Sequence, residues 1–121
     1  MEAKAISRHV RQSARKVRLV ADMVRGMDLE KALNALHFST KKASETVEKT
    51  IRSAVANLMN MEGGSHIEPE DMFVKEIYAD DAGIARRWRA GSMGRAAIIR
   101  KRSSHLTVVV AEKENKKTKK K

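Results

Sequence analysis

IARRWRAGSMGRAAIIRKR, residues 84–102, decides how this chain folds. It holds Arg86, Arg87, Arg89, Arg95, Arg100, Lys101 and Arg102 and no acid, and the acid-free run extends from beyond Asp81 to Glu112. Trp88, the only tryptophan, stands between arginines, and Gly91 and Gly94 bracket Ser92 and Met93 near the middle. On either side the pattern turns strand-like: MFVKEIYA (72–79) before it and HLTVVVA (105–111) after it. Two strand patterns around a glycine-containing centre read as a hairpin, with the basic stretch at its far end. From Phe73 to Ala85 the arm has roughly 13 residues, or about 40 Å at ~3.3 Å per residue. A compact body of about 100 residues has a radius of gyration of only ~13 Å. The distal half therefore projects, and a projecting arginine-rich ribbon needs an anionic partner. A second reading stays open: strands of the usual length, about 5–6 residues, end early and leave a basic loop that a partner orders.

The totals agree with one domain. The chain has 121 residues, no cysteine, 41% hydrophobic residues and only 3% aromatic ones, so its core is aliphatic and alanine-rich. Without cysteine there is neither a disulfide framework nor thiol chemistry. No run approaches the ~18 apolar residues of a membrane span, and the start, MEAKAISRHVRQ, lacks the apolar segment of a signal peptide. The expectation is a cytoplasmic protein with no membrane partner. The net charge of +11 is unevenly spread: residues 1–25 carry +5, residues 26–72 carry −3 and residues 73–121 carry +9. Such asymmetry points to polyanion contact at the two ends rather than general stickiness.

Residues 3–11 alternate, with Ala3, Ala5 and Ser7 on one face and Lys4, Ile6, Arg8 and Val10 on the other, which predicts a short strand pairing with the later sheet. Residues 13–26 predict a helix capped by Ser13 and ended by Gly26, with Val17, Val20, Ala21 and Val24 on its buried stripe. Residues 28–38 predict a second helix, with Asp28 as N-cap and Leu29, Ala32, Leu33 and Leu36 inward. Residues 40–61 predict a long third helix, capped by Ser39 or Thr40, striped by Ala43, Val47, Ile51, Ala54, Leu58 and Met61, and stopped by Gly63-Gly64. Glu45 with Lys49 and Glu48 with Arg52 are i, i+4 pairs of the favourable orientation. In the last strand both faces are partly apolar, so it is expected to be central. The fold class is α+β: three helices on a small antiparallel sheet with a long protruding β-hairpin. Residues 1–111 form one domain, including the extended hairpin 73–110 with its tip at about 88–94. Residues 112–121, EKENKKTKKK, have no apolar residue and read as a disordered lysine-rich tail.

The chemistry of an enzyme is missing. Ser104 and His105 are neighbours on a strand and point to opposite faces. GSMG (91–94) lacks the lysine and the strand-to-helix setting of a phosphate loop. His9, His37, His66 and His105 are single and widely spaced, unlike a metal site. Neither catalytic residues nor a metal or cofactor is expected. What remains is polyanion binding, by nucleic acid or, in a further reading the sequence leaves open, by an acidic protein on which the arm docks. Arg8, Arg11, Arg15, Lys16 and Arg18 cluster near the first helix, and Arg86, Arg87, Arg89, Arg95, Arg100, Lys101 and Arg102 line the hairpin. A slim two-stranded ribbon can thread between RNA helices while its arginines fork to phosphates. Trp88 either stacks on a base or packs against the opposite arm. The rival reading is a DNA-bending architectural protein with a β-ribbon arm. Such arms often carry an apolar wedge at the tip and such proteins usually dimerise; here the tip is Gly-Ser-Met-Gly, and no exposed apolar stripe argues for a homo-oligomer.

Three stretches carry a resemblance that spans nearly the whole chain, Ala5 to Val110: SARKVRLVADMVRG (13–26), the GRA of Gly94 to Ala96, and KRSSHLTVVV (101–110). Together they look like the bacterial large-ribosomal-subunit protein L-twenty-two family. The chain departs from the family pattern at Ala82-Gly83, where Gly-Pro is common, and at Ala90, Gly91 and Ser92, where Pro-Arg-Ala is common. The resemblance implies a ribosomal protein that binds large-subunit ribosomal RNA, touches neighbouring large-subunit proteins and supports subunit assembly. It also implies a hairpin tip, Trp88, Arg89, Ala90, Gly91, Ser92 and Met93, that faces the peptide exit tunnel and the nascent peptide, where changes can affect macrolide action.

Overall fold

The computed structural model of the chain describes residues 2–61 and 67–113. The helix stop expected at Gly63-Gly64, His66, and the lysine tail from residue 114 onward lie outside the described residues. The element order is β1 (Glu2–Val10), α1 (Ala14–Val24), α2 (Leu29–His37), α3 (Lys42–Asn60), a 3-10 turn (Pro69–Asp71), β2 (Met72–Ala90), a second 3-10 turn (Ser92–Gly94) and β3 (Ala96–Glu112). The expected α+β class holds: three helices pack on a three-stranded antiparallel sheet of order β1-β3-β2.

β3 is central, as its two-sided apolar pattern predicted. Its Ser104, Leu106, Val108 and Val110 face the helices and are fully buried. Around them close Val17, Val20 and Val24 of α1, Leu29 and Leu36 of α2, Val47, Ile51 and Leu58 of α3, and Met72, Val74 and Ile77 of β2. Each such side chain contributes about 1.5–3 kcal/mol by leaving water. None of these is aromatic, so close packing of branched aliphatics does the work that rings do in other cores. No helix among the described residues is long and apolar enough to cross a membrane.

Four local expectations are corrected. Val10 lies on the core side, not with Ile6. A bulge between Ser7 and Val10, with His9 at φ +55°, inserts one extra residue into β1 and resets the alternation. α3 begins at Lys42 with Lys41 as N-cap, later than Ser39 or Thr40; Ser39 Oγ instead accepts the Lys41 N–H at 3.3 Å, a local turn that competes with the helix. Met61 ends the helix and is 41% exposed, outside the stripe. Ser13 and Asp28 occupy the N-cap positions of α1 and α2 without side-chain capping bonds; Asp28 spends its carboxylate on Lys113 at 3.0 Å. Both predicted i, i+4 ion pairs of α3 form, Glu45–Lys49 at 3.0 Å and Glu48–Arg52 at 2.9 Å.

β2 is an edge strand, and the body covers its open side. Gly26, at φ +78° just past α1, donates its N–H to Val74 O, and Val74 N–H donates to Met27 O, both at 3.0 Å. Further along, Arg25 donates to Ile77 O at 2.7 Å and Arg18 to Ala79 O at 3.0 Å. Edge carbonyls that would otherwise template another strand are thus occupied.

Candidate nucleic-acid interface

The sheet loses its third strand where β1 ends, at the Val10–Ser104 pair. Beyond that point β2 and β3 continue alone as a ribbon, paired rung by rung from Gly83–Ser103 to Ala90–Ala96. The basic stretch is therefore paired strand on both sides, not a loop between short strands. The free part, Gly83 to Ala90, reaches about 26 Å at ~3.3 Å per residue. A bulge between Asp81 and Gly83 marks its root. Gly83 there has φ +115°, a conformation that side-chain-bearing residues avoid, and Ser103 Oγ donates to its carbonyl at 3.3 Å.

Pairing sorts the ribbon's side chains into two faces, because cross-strand partners point the same way. One face carries the rungs Ile84–Arg102, Arg86–Arg100 and Trp88–Ile98; the other carries Ala85–Lys101, Arg87–Ile99 and Arg89–Ala97. Both faces are thus basic. Arg86 directly opposite Arg100 is a like-charge pair, which destabilises the free ribbon and favours any anion that comes between them. Every residue from Gly83 to Ile98 is exposed. Among the described residues, no cation from Arg86 to Arg102 is in an ion pair, and Arg87 bonds only to the Arg86 carbonyl at 3.2 Å. Trp88 neighbours Ile98 across the ribbon yet keeps 66% of its surface exposed. The turn is closed by Gly91 N–H donating to Arg95 O at 2.6 Å. At its apex Met93, φ +56°, is 97% exposed.

Where the ribbon leaves the body there is a cleft of about 950 Å³. It is lined by Arg11, Gln12, Ser13 and Lys16, by Lys42, and by Ala85, Arg87, Arg100, Lys101, Arg102 and Ser103. The two ends of the chain flagged for their charge thus meet in one place, with no acid in the lining. Arg8 and Arg15 are exposed outside this lining, Arg86, Arg89 and Arg95 lie further out on the ribbon, and Arg18 is engaged with Ala79 O. Lys42 escaped the sequence reading because it belongs to the acidic middle segment. One signal marked it: Lys41 and Lys42 begin a helix, the end where the macrodipole disfavours cations. α1 likewise has no acid in its first turn, and its N-cap, Ser13, lies on the same cleft.

A model of the family described as Ribosomal protein L22p/L17e matches residues 5–111. Curated relatives named large ribosomal subunit protein uL22 match almost end to end. That of Leptospira biflexa serovar Patoc is 51% identical over 116 residues, 96% of this chain and 98% of that protein. That of Chlorobaculum tepidum is 48% identical over 119 residues, 98% of this chain and 100% of its own. That of Halothermothrix orenii is 44% identical over 114 residues, 94% and 98% of the two chains. With a family model covering most of the chain and relatives aligned over nearly their full length, this chain belongs to the ribosomal protein L22p/L17e family.

Proposed function

We propose that the chain is a structural constituent of the large ribosomal subunit in the cytoplasm, binds its ribosomal RNA and supports its assembly. The observation that carries this reading is the paired, exposed, acid-free ribbon, whose root shares a cation-lined cleft with the N-terminal patch. Membership of the family supports it and favours it over a DNA-bending role. The RNA-binding groups are Arg8, Arg11, Arg15, Lys16 and Arg18 on the body and Arg86, Arg87, Trp88, Arg89, Arg95, Arg100, Lys101 and Arg102 on the ribbon. Arginine suits the task, because its planar fork matches phosphate oxygens in pairs. RNA, unlike DNA, offers junctions and unstacked bases into which a two-stranded ribbon fits. The protein holds RNA and catalyses nothing.

Residues 1–111 act as one domain, in a single copy, beside neighbouring large-subunit proteins. The tip, Trp88 to Gly94, reaches furthest from the body and, following the family pattern, faces the exit tunnel and the nascent peptide. The test is a sucrose gradient of cell lysate at moderate salt. The chain is expected to sediment with large subunits; a chain that stays at the top of the gradient overturns the reading.

A further inference from the structure

We propose that the outer edge of β1 takes up an extended peptide of another protein as a fourth strand, seated in the groove between β1 and α3. The two edges of the sheet are treated differently. On β2, main-chain groups are met by Gly26, Met27, Arg25 and Arg18 of the body. On β1, Asn57 of α3 donates to Lys4 O at 3.1 Å. That bond marks the Lys4 main-chain groups as pointing away from β3, and the alternation of an antiparallel pair turns those of Ile6 the same way. Among the described residues, nothing beside the sheet bonds to the Ile6 N–H or C=O. Next to them runs a groove of about 350 Å³, between Ala5, Ile6 and Ser7 on one side and Thr46, Lys49, Thr50 and Ser53 of α3 on the other.

Size and chemistry choose the occupant. A helix about 10–12 Å across is too wide for this groove, whereas a strand at about 4.8 Å from β1 fits beside it. The edge offers donors and acceptors together, the pattern of another peptide backbone rather than of phosphates, which only accept. Thr46, Thr50, Ser53 and Asn57 recur at helical spacing, so α3 presents a wall of short polar side chains, and Thr50 turns its hydroxyl back to Thr46 O at 2.8 Å. An added strand therefore directs small residues toward α3. Its other face meets Lys4 and Ile6. Lys4 is exposed and in no ion pair among the described residues, and Ile6 is 42% exposed. Cross-strand pairing asks for an acid opposite Lys4, a branched apolar residue opposite Ile6 and a small residue between them. A second copy of this chain does not meet that demand. The only acid of β1, Glu2, is already bound to Lys75 at 2.6 Å, and two chains of net charge +11 repel each other. The bulge after Ser7 ends the open run, so the added ladder stays on the stretch before it.

The test titrates the isotope-labelled full chain with the peptide Ser-Val-Ala-Glu-Ser-Thr, blocked at both ends. In antiparallel register it sets Val opposite Ile6 and Glu opposite Lys4. Amide shifts are expected at Lys4 to Ser7 and along α3 from Thr46 to Asn57, and the Ile6 amide, unprotected in the free chain, should exchange at least about tenfold more slowly with peptide bound. N-methylation of the peptide Val removes the N–H that the Ile6 carbonyl accepts and should weaken binding about tenfold. Lys4→Glu should weaken it about threefold to tenfold, and a peptide with Lys in place of Glu should recover the loss on that variant, whose fold circular dichroism checks. Absence of shifts at Lys4 to Ser7, equal binding of the N-methylated peptide, or no recovery by the charge exchange overturns strand addition. Displacement of the peptide by single-stranded RNA gives the edge to RNA, and a dimer of the peptide-free chain in sedimentation equilibrium gives it to a second copy; either result overturns the proposal. None of these outcomes bears on RNA binding by the ribbon and the N-terminal patch, which do not include Lys4 or Ile6.

Discussion

Gly83 and Ser104 sit a rung apart at the ribbon root and test opposite features of it. Gly83 holds φ +115° with open space around the missing Cβ, so the backbone, not crowding, demands glycine. Gly83→Ala is expected to cost about 1–3 kcal/mol, the usual range for a residue held in such a region. Because the bulge sets the angle at which the ribbon leaves, incorporation into large subunits should fall further than stability alone predicts. Thermal unfolding and gradient profiles of the same variant measure the two effects; a variant with unchanged melting temperature shows that the bulge is not strained by a side chain. Ser104 is fully buried in β3, and its hydroxyl finds no partner among the described residues. An unsatisfied buried hydroxyl costs about 1–3 kcal/mol. Ser104→Ala is therefore expected to leave the melting temperature unchanged or raise it, and a clear fall means that the hydroxyl is satisfied in solution.

At the scale of elements, α1 does two jobs. Its Val17, Val20 and Val24 fill the core, while Arg18 and Arg25 reach out to the Ala79 and Ile77 carbonyls on the β2 edge. Arg25 is also paired with Asp22. Each of these contacts joins a guanidinium to a backbone carbonyl; such charged hydrogen bonds are worth about 1.5–3 kcal/mol when buried, and about 1 kcal/mol is the expectation here, since both arginines are largely exposed. Arg18→Ala and Arg25→Ala should each lower the melting temperature by about 4–8 °C. Amide exchange should rise first in β2 near Ile77 and Ala79, the strand whose edge is uncovered. If instead Arg18→Ala leaves stability unchanged but weakens RNA binding, the side chain works on RNA and its bond to β2 is incidental.

For the whole molecule, anchoring and reach separate. The cleft and the N-terminal patch hold most of the cations proposed to meet RNA, whereas the tip from Trp88 to Gly94 holds only Arg89. If binding engages about eight phosphates, log K against log salt should have a slope of roughly −6 to −7, and deletion of Trp88 to Met93 should reduce its magnitude by only about 1. Filter binding across a salt series measures both. The deleted form should still enter large subunits, since the cleft remains, while nascent-chain passage or macrolide response changes. Subunits that fail to form show instead that the tip is an anchor. A form normal in assembly, nascent-chain passage and macrolide response shows that the tip touches no functional surface.

Much of this was legible from residue order alone. The three helices, the central β3 and the projecting basic hairpin follow from periodicity and an acid-free run, because those patterns report local geometry. The family could be read from SARKVRLVADMVRG, GRA and KRSSHLTVVV without any coordinates. Tertiary structure alone decided the rest. Val10 turned inward because a bulge, set by pairing with β3, reset an alternation that otherwise pointed it out. Arg18 and Arg25 capped an edge whose existence depends on the strand order. Lys42, placed by sequence in an acidic segment, joined Arg11, Lys16 and the ribbon arginines because packing of α3 brings its N-terminus to the ribbon root. Spacing along a chain fixes which residues share a helix or strand face, but which faces meet depends on register and packing between distant segments, and the cleft exists only at such a meeting.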